Sequence, residues 1–217
     1  MNIFQELRVI PIIENNEPMV KLADFLKQHE SKIILTAGVA DYGAIDIETH
    51  ALRQTVADKL LVAEKTLQLV NPKLTFKLTD SFRPLDLQKK YFDEIYAKQS
   101  ATGLSGDELY ANVIKVIADP TQHPPHASGG AIDMTIINWE TNEDMDMGSV
   151  LDDVVNPLAT TFHPDVKDEH KKNRLLLYDI MTDAGFVNAE SEWWHYSYGD
   201  RYWAFEKKQP NAIYDSK

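Results

Sequence analysis

The sequence predicts an α+β domain, a small antiparallel sheet flanked by helices, and three observations carry that reading. Helix-period and strand-period segments both occur, they do not alternate as regular βαβ units, and no repeat, low-complexity tract or Gly/Ser linker divides the chain. The 217 residues are enough for one full core, and 43% hydrophobic with 26% charged residues is an ordinary globular balance. Residues 1–217 therefore read as a single domain.

Residues 20–29, with Val20, Leu22, Ala23, Phe25 and Leu26, form a short, weakly helical segment, and Ile33-Ile34-Leu35 within Ser31–Val39 is a candidate strand. The clearest helix runs from Thr49 to Val70: Leu52, Val56, Leu60, Ala63, Leu67 and Val70 recur at spacings of three and four. Thr49 suits its N-cap and Asn71-Pro72 stops it. Leu74, Phe76 and Leu78 alternate with Thr75, Lys77 and Thr79 as in a half-buried strand. Pro84 suits the first turn of a helix carrying Leu87, Tyr91 and Ile95. Another helix spans about Asp107–Ala118, with Leu109, Val113 and Val116/Ile117 inward. Three prolines make Asp119–Pro125 irregular, Gly130–Ile137 reads as a strand, and Asn138–Pro157 as an acidic loop. Lys167–Ala184 is a helix ended by Gly185, and Trp193–Tyr198 is an aromatic strand.

Lys+Arg 22 against Asp+Glu 34 gives a net charge of −12, which argues against nucleic acid or an anionic membrane as partner. The absence of cysteine excludes a disulfide scaffold, a thiolate zinc finger, an iron–sulfur cluster and a cysteine nucleophile. Any metal must be held by His, Asp or Glu. The first residues, Met1 to Arg8, lack the basic start and apolar run of a leader, and no stretch approaches the ~18 apolar residues of a membrane span. The expected location is the cytoplasm.

Of seven histidines, His29, His50, His163 and His170 read as solvated surface residues. His126 is different: it follows Pro124-Pro125 and precedes Gly129-Gly130, and a strand delivers Asp133 seven residues later. An aspartate between Ile132 and Met134 in an apolar strand needs a charge partner, which a divalent cation supplies. The second cluster is Glu192-Trp193-Trp194-His195-Tyr196. Two histidines and an aspartate suit one Zn²⁺ per chain and leave a fourth position open for water, whose pKa bound zinc lowers to about 7. A proton acceptor is then needed, and Glu192 is the obvious one. In a flat strand residues 192 and 195 point to opposite faces, so Glu192 is expected in the turn entering the strand or on a bulge. At the third cluster, Asp80-Ser81-Phe82-Arg83-Pro84, Arg83 is suited to a substrate carboxylate or a developing oxyanion. The alternative is a core with coincidental histidines and no metal.

These clusters, in this order, resemble the D-alanyl-D-alanine dipeptidases, a group of zinc peptidases that also takes in D,D-carboxypeptidases, peptidoglycan endopeptidases and a hedgehog-like domain. The family pattern Ser-x-His-x-x-Gly-x-Ala-x-Asp is similar to Pro124 through Asp133, Glu-Trp-Trp-His to Glu192 through His195, and Asp-Gly-Tyr-Arg-Pro to Asp80 through Pro84. Met147-Gly148-Ser149 followed by Asp152, and Asn173-Arg174-Leu175 leading to Ala184-Gly185-Phe186, are weaker echoes. The resemblance implies a zinc site at the sheet face with His126, Asp133 and His195 as ligands, and Glu192 as general acid/base. It also implies Arg83 as the group stabilising the tetrahedral intermediate and Asp152 as the contact to the substrate's free amino group. It covers roughly residues 80–198, leaving residues 1–50 as a weakly matched N-terminal extension. Pro124 stands where the family has a hydroxyl, and Phe82 where it has a phenol. The implied activity is hydrolysis of the D-Ala-D-Ala dipeptide. The alternatives are a D,D-carboxypeptidase or peptidoglycan endopeptidase acting on longer cell-wall peptides, and a non-catalytic zinc- or ligand-binding module. Glu192 and Arg83 together argue against the last, since a structural zinc site needs neither.

Overall fold

A computed structural model describes residues 3–37 and 46–217. In chain order its elements are α1 (Ile3–Arg8), β1 (Met19–Lys21), α2 (Leu22–Gln28), β2 (Ile34–Leu35), β3 (Ala51–Arg53), α3 (Gln54–Val70), β4 (Leu74–Asp80), α4 (Leu85–Ser100) and α5 (Gly106–Val113). There follow α6 (Pro125–Ser128), β5 (Ala131–Asn138), β6 (Glu143–Asp144), α7 (Asp168–Asp183), β7 (Val187–Asn188), β8 (His195–Ser197) and α8 (Arg201–Glu206). The α+β expectation holds. The main sheet has the order β2-β4-β5-β8-β7, with β6 on the far end of β5. Its pairings are antiparallel except at the edge, where β2 runs parallel to β4.

One face of the sheet is the core. Leu74, Phe76 and Leu78 of β4 and Ile132, Met134 and Ile136 of β5 bury against Val56, Leu60, Ala63 and Leu67 of α3 and Leu177, Ile180 and Met181 of α7. A satellite cluster of Tyr91, Ile95, Leu109, Val113 and Ile117 joins α4 to α5.

Several boundaries differ from expectation. The long helix begins at Gln54 rather than after Thr49, because Ala51–Arg53 pairs with β1 in the register Val20↔Leu52. Leu52 thus reaches the core from a strand at a spacing from Val56 that imitates a helical turn. Strand β4 is buried on both faces except at Lys77, since Thr75 donates to the buried Glu64 carboxylate. Pro84 stands one residue before its helix, the 107–118 helix ends at Val113, and α6 begins inside the expected irregular segment. The aromatic strand shortens to His195–Ser197, and β7 and α8 have no counterpart in the expectation. Positions 38–39 of the expected first strand lie outside the described residues.

What fixes α6 beside the sheet is Arg53, which is fully buried. Its guanidinium forks onto the Glu14 carboxylate at 2.8 and 2.9 Å, and donates to the carbonyls of Ser128, Glu17 and Asp215. Removing Glu14 would leave this buried guanidinium without its charge partner, which is costly. Gly129, with φ +75°, ends α6 in a left-handed turn that only glycine adopts freely, and Gly130 follows in close contact with the chain beyond β8. A Cβ at Gly130 would run into the Tyr198 carbonyl oxygen, a backbone atom held by the Tyr198 N–H to Gly130 carbonyl bond. Gly130→Ala is therefore expected to destabilise the fold by about 1–3 kcal/mol. A urea midpoint unchanged from the parent would show that this end of the sheet can yield.

Candidate metal centre

Side chains alternate along a strand, so with Ile132 and Met134 in the core, Asp133 projects from the opposite face of β5. Its cross-strand neighbour on β8 is His195. On β4 the ladder shifts by one residue between Leu78 and Asp80. An unbroken β4 would carry Asp80 on the core face with Leu74, Phe76 and Leu78. The bulge turns it to the other face, opposite Asp133. His126 comes from α6, and its Nδ1–H donates to the Ser81 carbonyl at 2.8 Å, which leaves the Nε2 lone pair facing Asp133 and His195.

The ligand atoms converge. His126 Nε2 lies 3.3 Å from Asp133 Oδ2 and 3.2 Å from His195 Nδ1, and His195 Nδ1 lies 2.9 Å from Asp133 Oδ1. Bonds of about 2.0–2.2 Å at tetrahedral angles place zinc ligands roughly 3.3 Å apart. The three buried side chains therefore fit one small divalent cation, and the N/N/O donor set suits zinc.

The charges agree. Burial alone would lower the His126 pKa, but the Asp80 and Asp133 carboxylates outweigh it and raise it to about 9. Burial would raise Asp133, yet the two imidazoles hold its carboxyl far below the usual range. A cation and these protons compete for the same place.

Around this cluster stand the other expected site residues. Glu192 occupies the turn that enters β8, as the face argument requires: its N–H donates to the Ala189 carbonyl, and its own carbonyl accepts from His195 N–H at 3.1 Å. The buried Asn188 pins that turn by donating to the carbonyls of Glu192 and His195. Burial pushes the Glu192 carboxyl up, and the charge on Asp133 adds to it while the imidazoles oppose it. Asp152 feels the same centre: burial raises its pKa to about 8, reinforced by Asp133, Asp80 and Glu192. It adopts φ +68°, left-handed backbone. Arg83 pairs with Asp80, donates to Gln88 Oε1 at 2.9 Å and lies over the Tyr91 ring at 5.4 Å. Its Nε–H is buried without an acceptor among the described residues.

His50 corrects the surface reading. It is fully buried, with Nε2 2.9 Å from the Thr36 carbonyl and Nδ1 2.8 Å from Ser81 Oγ. The carbonyl can only accept, so Nε2 carries the proton and Nδ1 accepts from the Ser81 hydroxyl. Ser81 thereby holds His50 with its side chain and His126 with its carbonyl. His170 is also largely covered, its Nε2 3.2 Å from Asp146, whereas His29 is exposed. The His50–Ser81 link joins residues far apart in sequence, and no spacing announces it. Asp80 belongs to the Asp80–Pro84 cluster, but only the bulge shows that it faces the site.

Two buried histidines, a buried carboxylate and a partly exposed glutamate beside them define a mononuclear metallohydrolase centre. The model of the family described as D-ala-D-ala dipeptidase (Peptidase M15) matches residues 27–215, and the chain belongs to that family. A D-alanyl-D-alanine dipeptidase of Synechocystis is 28% identical over 183 residues, 74% of each chain. One of Escherichia coli is 40% identical over 80 residues, 37% of this chain and 40% of the relative. Among solved structures, an LD-carboxypeptidase, LdcB, aligns over 92% of this chain and 76% of its own at 16% identity and TM-score 0.46. VanYB in complex with D-alanine-D-alanine aligns over 80% and 84% at 14% identity and TM-score 0.45. The family match begins at residue 27, within the segment expected to be a weakly matched extension. No helix among the described residues is long and apolar enough to cross a membrane.

The metal-free protein should lose stability as pH rises. His126 goes from 6.5 to about 9 on folding, so its contribution is complete below pH 6.5 and is lost as pH rises through about 9. Asp152, an acid raised to about 8, acts in the same direction, because folding disfavours its ionised form. Thermal melts of chelator-treated protein at pH 6.5 and 9 should differ in that sense, and zinc-loaded protein should differ less. A flat metal-free profile would contradict the assignment.

Proposed function

We propose that this protein is a zinc-dependent D-alanyl-D-alanine dipeptidase, a single cytoplasmic domain with the dipeptide as its small-molecule partner. The observation that carries the reading is the buried His126, Asp133 and His195 cluster with Glu192 beside it, in a chain of this family. His126, Asp133 and His195 would hold the zinc. When bound, zinc polarises a peptide carbonyl and draws the pKa of a coordinated water towards 7.

The chain's own residues do the rest. Hydrolysis adds a water oxygen to the carbonyl carbon and breaks the C–N bond, and a proton must pass from water to the leaving amine. Glu192, raised by burial, is suited to accept that proton and deliver it. Arg83, anchored by Asp80 and Gln88, is the cation suited to a developing oxyanion. Asp152 would face the substrate's free ammonium, and an incoming cation favours the ionised form that its surroundings oppose.

Four outcomes test this. His126→Ala and His195→Ala should each lose zinc by elemental analysis, with His163→Ala as the control that retains it; full occupancy in both ligand variants would refute the centre. Glu192→Gln should keep the metal and lose about 10²–10⁴-fold in kcat. Arg83→Ala should lose kcat by an amount comparable to one oxyanion donor, about 2.7–4 kcal/mol. D-Ala-D-Ala should be cleaved far faster than its N-acetyl derivative, and Asp152→Asn should narrow that gap. Equal kcat/KM for the two peptides would favour a carboxypeptidase acting on longer chains.

A further inference from the structure

Arg174 is a buried cation with no carboxylate partner among the described residues. It is 2% exposed, and burial lowers its pKa to about 10. Its donors go to one stretch of irregular chain: Nε to the Met147 carbonyl at 2.6 Å, Nη1 to Thr160 at 2.8 Å, and Nη2 to Leu158 at 2.7 Å and to Ser149 Oγ at 3.1 Å. Segment 147–160 contains no strand, and only a single turn of 3₁₀ helix at Pro157–Ala159. It carries Asp152.

The same guanidinium lies 5.7 Å from the centre of the Trp193 ring. Trp193 donates its indole N–H to Ser149 Oγ at 2.9 Å and its backbone N–H to the Ala159 carbonyl at 2.9 Å. Its neighbour in sequence is Glu192. Thr161 N–H also donates to the Glu190 carbonyl. The Asp152 loop and the Glu192 turn are therefore fastened to each other through Arg174, Ser149 and Trp193. An unpaired buried charge is costly unless every donor is satisfied, and here the satisfying groups are the loop itself.

We propose that Arg174, acting with the Ser149 hydroxyl, is the positioning residue for recognition of the substrate's amino end: it sets where the Asp152 carboxylate stands relative to Glu192. This rests on the reading of Asp152 as the partner of the free ammonium. Lysine cannot reproduce the planar fork that spans three carbonyls, so Arg174→Lys keeps the charge and loses the geometry.

The test uses zinc-loaded full-length enzyme with D-Ala-D-Ala and N-acetyl-D-Ala-D-Ala. A merely structural role would lower the active fraction and scale both rates equally, leaving their kcat/KM ratio untouched. The proposal expects Arg174→Lys to reduce that ratio about ten-fold, mainly through KM for the free dipeptide, with zinc content unchanged. Ser149→Ala, which removes one shared hydroxyl, should reduce it about five-fold and answers the question if Arg174→Lys does not fold. Hydrogen exchange should quicken together in 147–160 and 189–194. Parental ratios and parental exchange in the variants would overturn the proposal while leaving Asp152 in place. A parental enzyme that does not distinguish the two peptides, with Asp152→Asn alike, would remove the underlying reading and the proposal with it.

Discussion

The arrangement depends on one buried carboxylate. Asp133 occupies the middle of an apolar strand, and burying it unpaired would cost several kcal/mol. The groups that answer this demand arrive from different elements, His195 across the ladder on β8 and His126 from α6; Asp80 of β4 is a further acid on the same face and brings its own partner, Arg83. The helix that carries His126 is held at its end by Arg53, whose guanidinium ties Ser128 to segments remote in sequence. Packing of the hydrophobic face sets the sheet, and the charge on its reverse face sets what gathers there.

Four acids share this small volume, and they divide into two kinds. Asp80 and Asp133 are matched by cationic partners, Arg83 and the imidazoles. Glu192 and Asp152 are not, and both are raised by burial and by the charges of the others. Asp80 and Asp133 are thus held by fixed partners, while Glu192 and Asp152 stand beside them with no ion-pair partner among the described residues.

Much of this was legible in the sequence. The periods of three and four in α3, the apolar alternation through Leu74, Phe76 and Leu78, and the ordered clusters around Arg83, His126, Asp133 and His195 all came through. So did the inference that Glu192 must leave the strand, because the face of a side chain follows from counting residues. What stayed hidden depends on tertiary partners. His50 lies among polar neighbours in sequence, yet it is buried and bonded to Thr36 and Ser81, both distant in the chain. Leu52 reads as helical because a short strand just before a helix can place its apolar residue at a helical interval. The one-residue shift before Asp80, and the gathering of loop carbonyls by Arg174, are properties of paired chains that no local pattern records.

The left-handed backbone at Asp152 shapes how this site can vary. At φ +68° most side chains meet their own backbone at a cost of about 1–2 kcal/mol, while Gly, Asn and Asp tolerate it. Viable replacements at that position are correspondingly few: Asn keeps the shape and discards the charge, and Gly discards both. On the role proposed for Asp152, drift in substrate range passes through a narrow choice, in which the acid is kept, neutralised in place or removed. It would not proceed by graded changes in size.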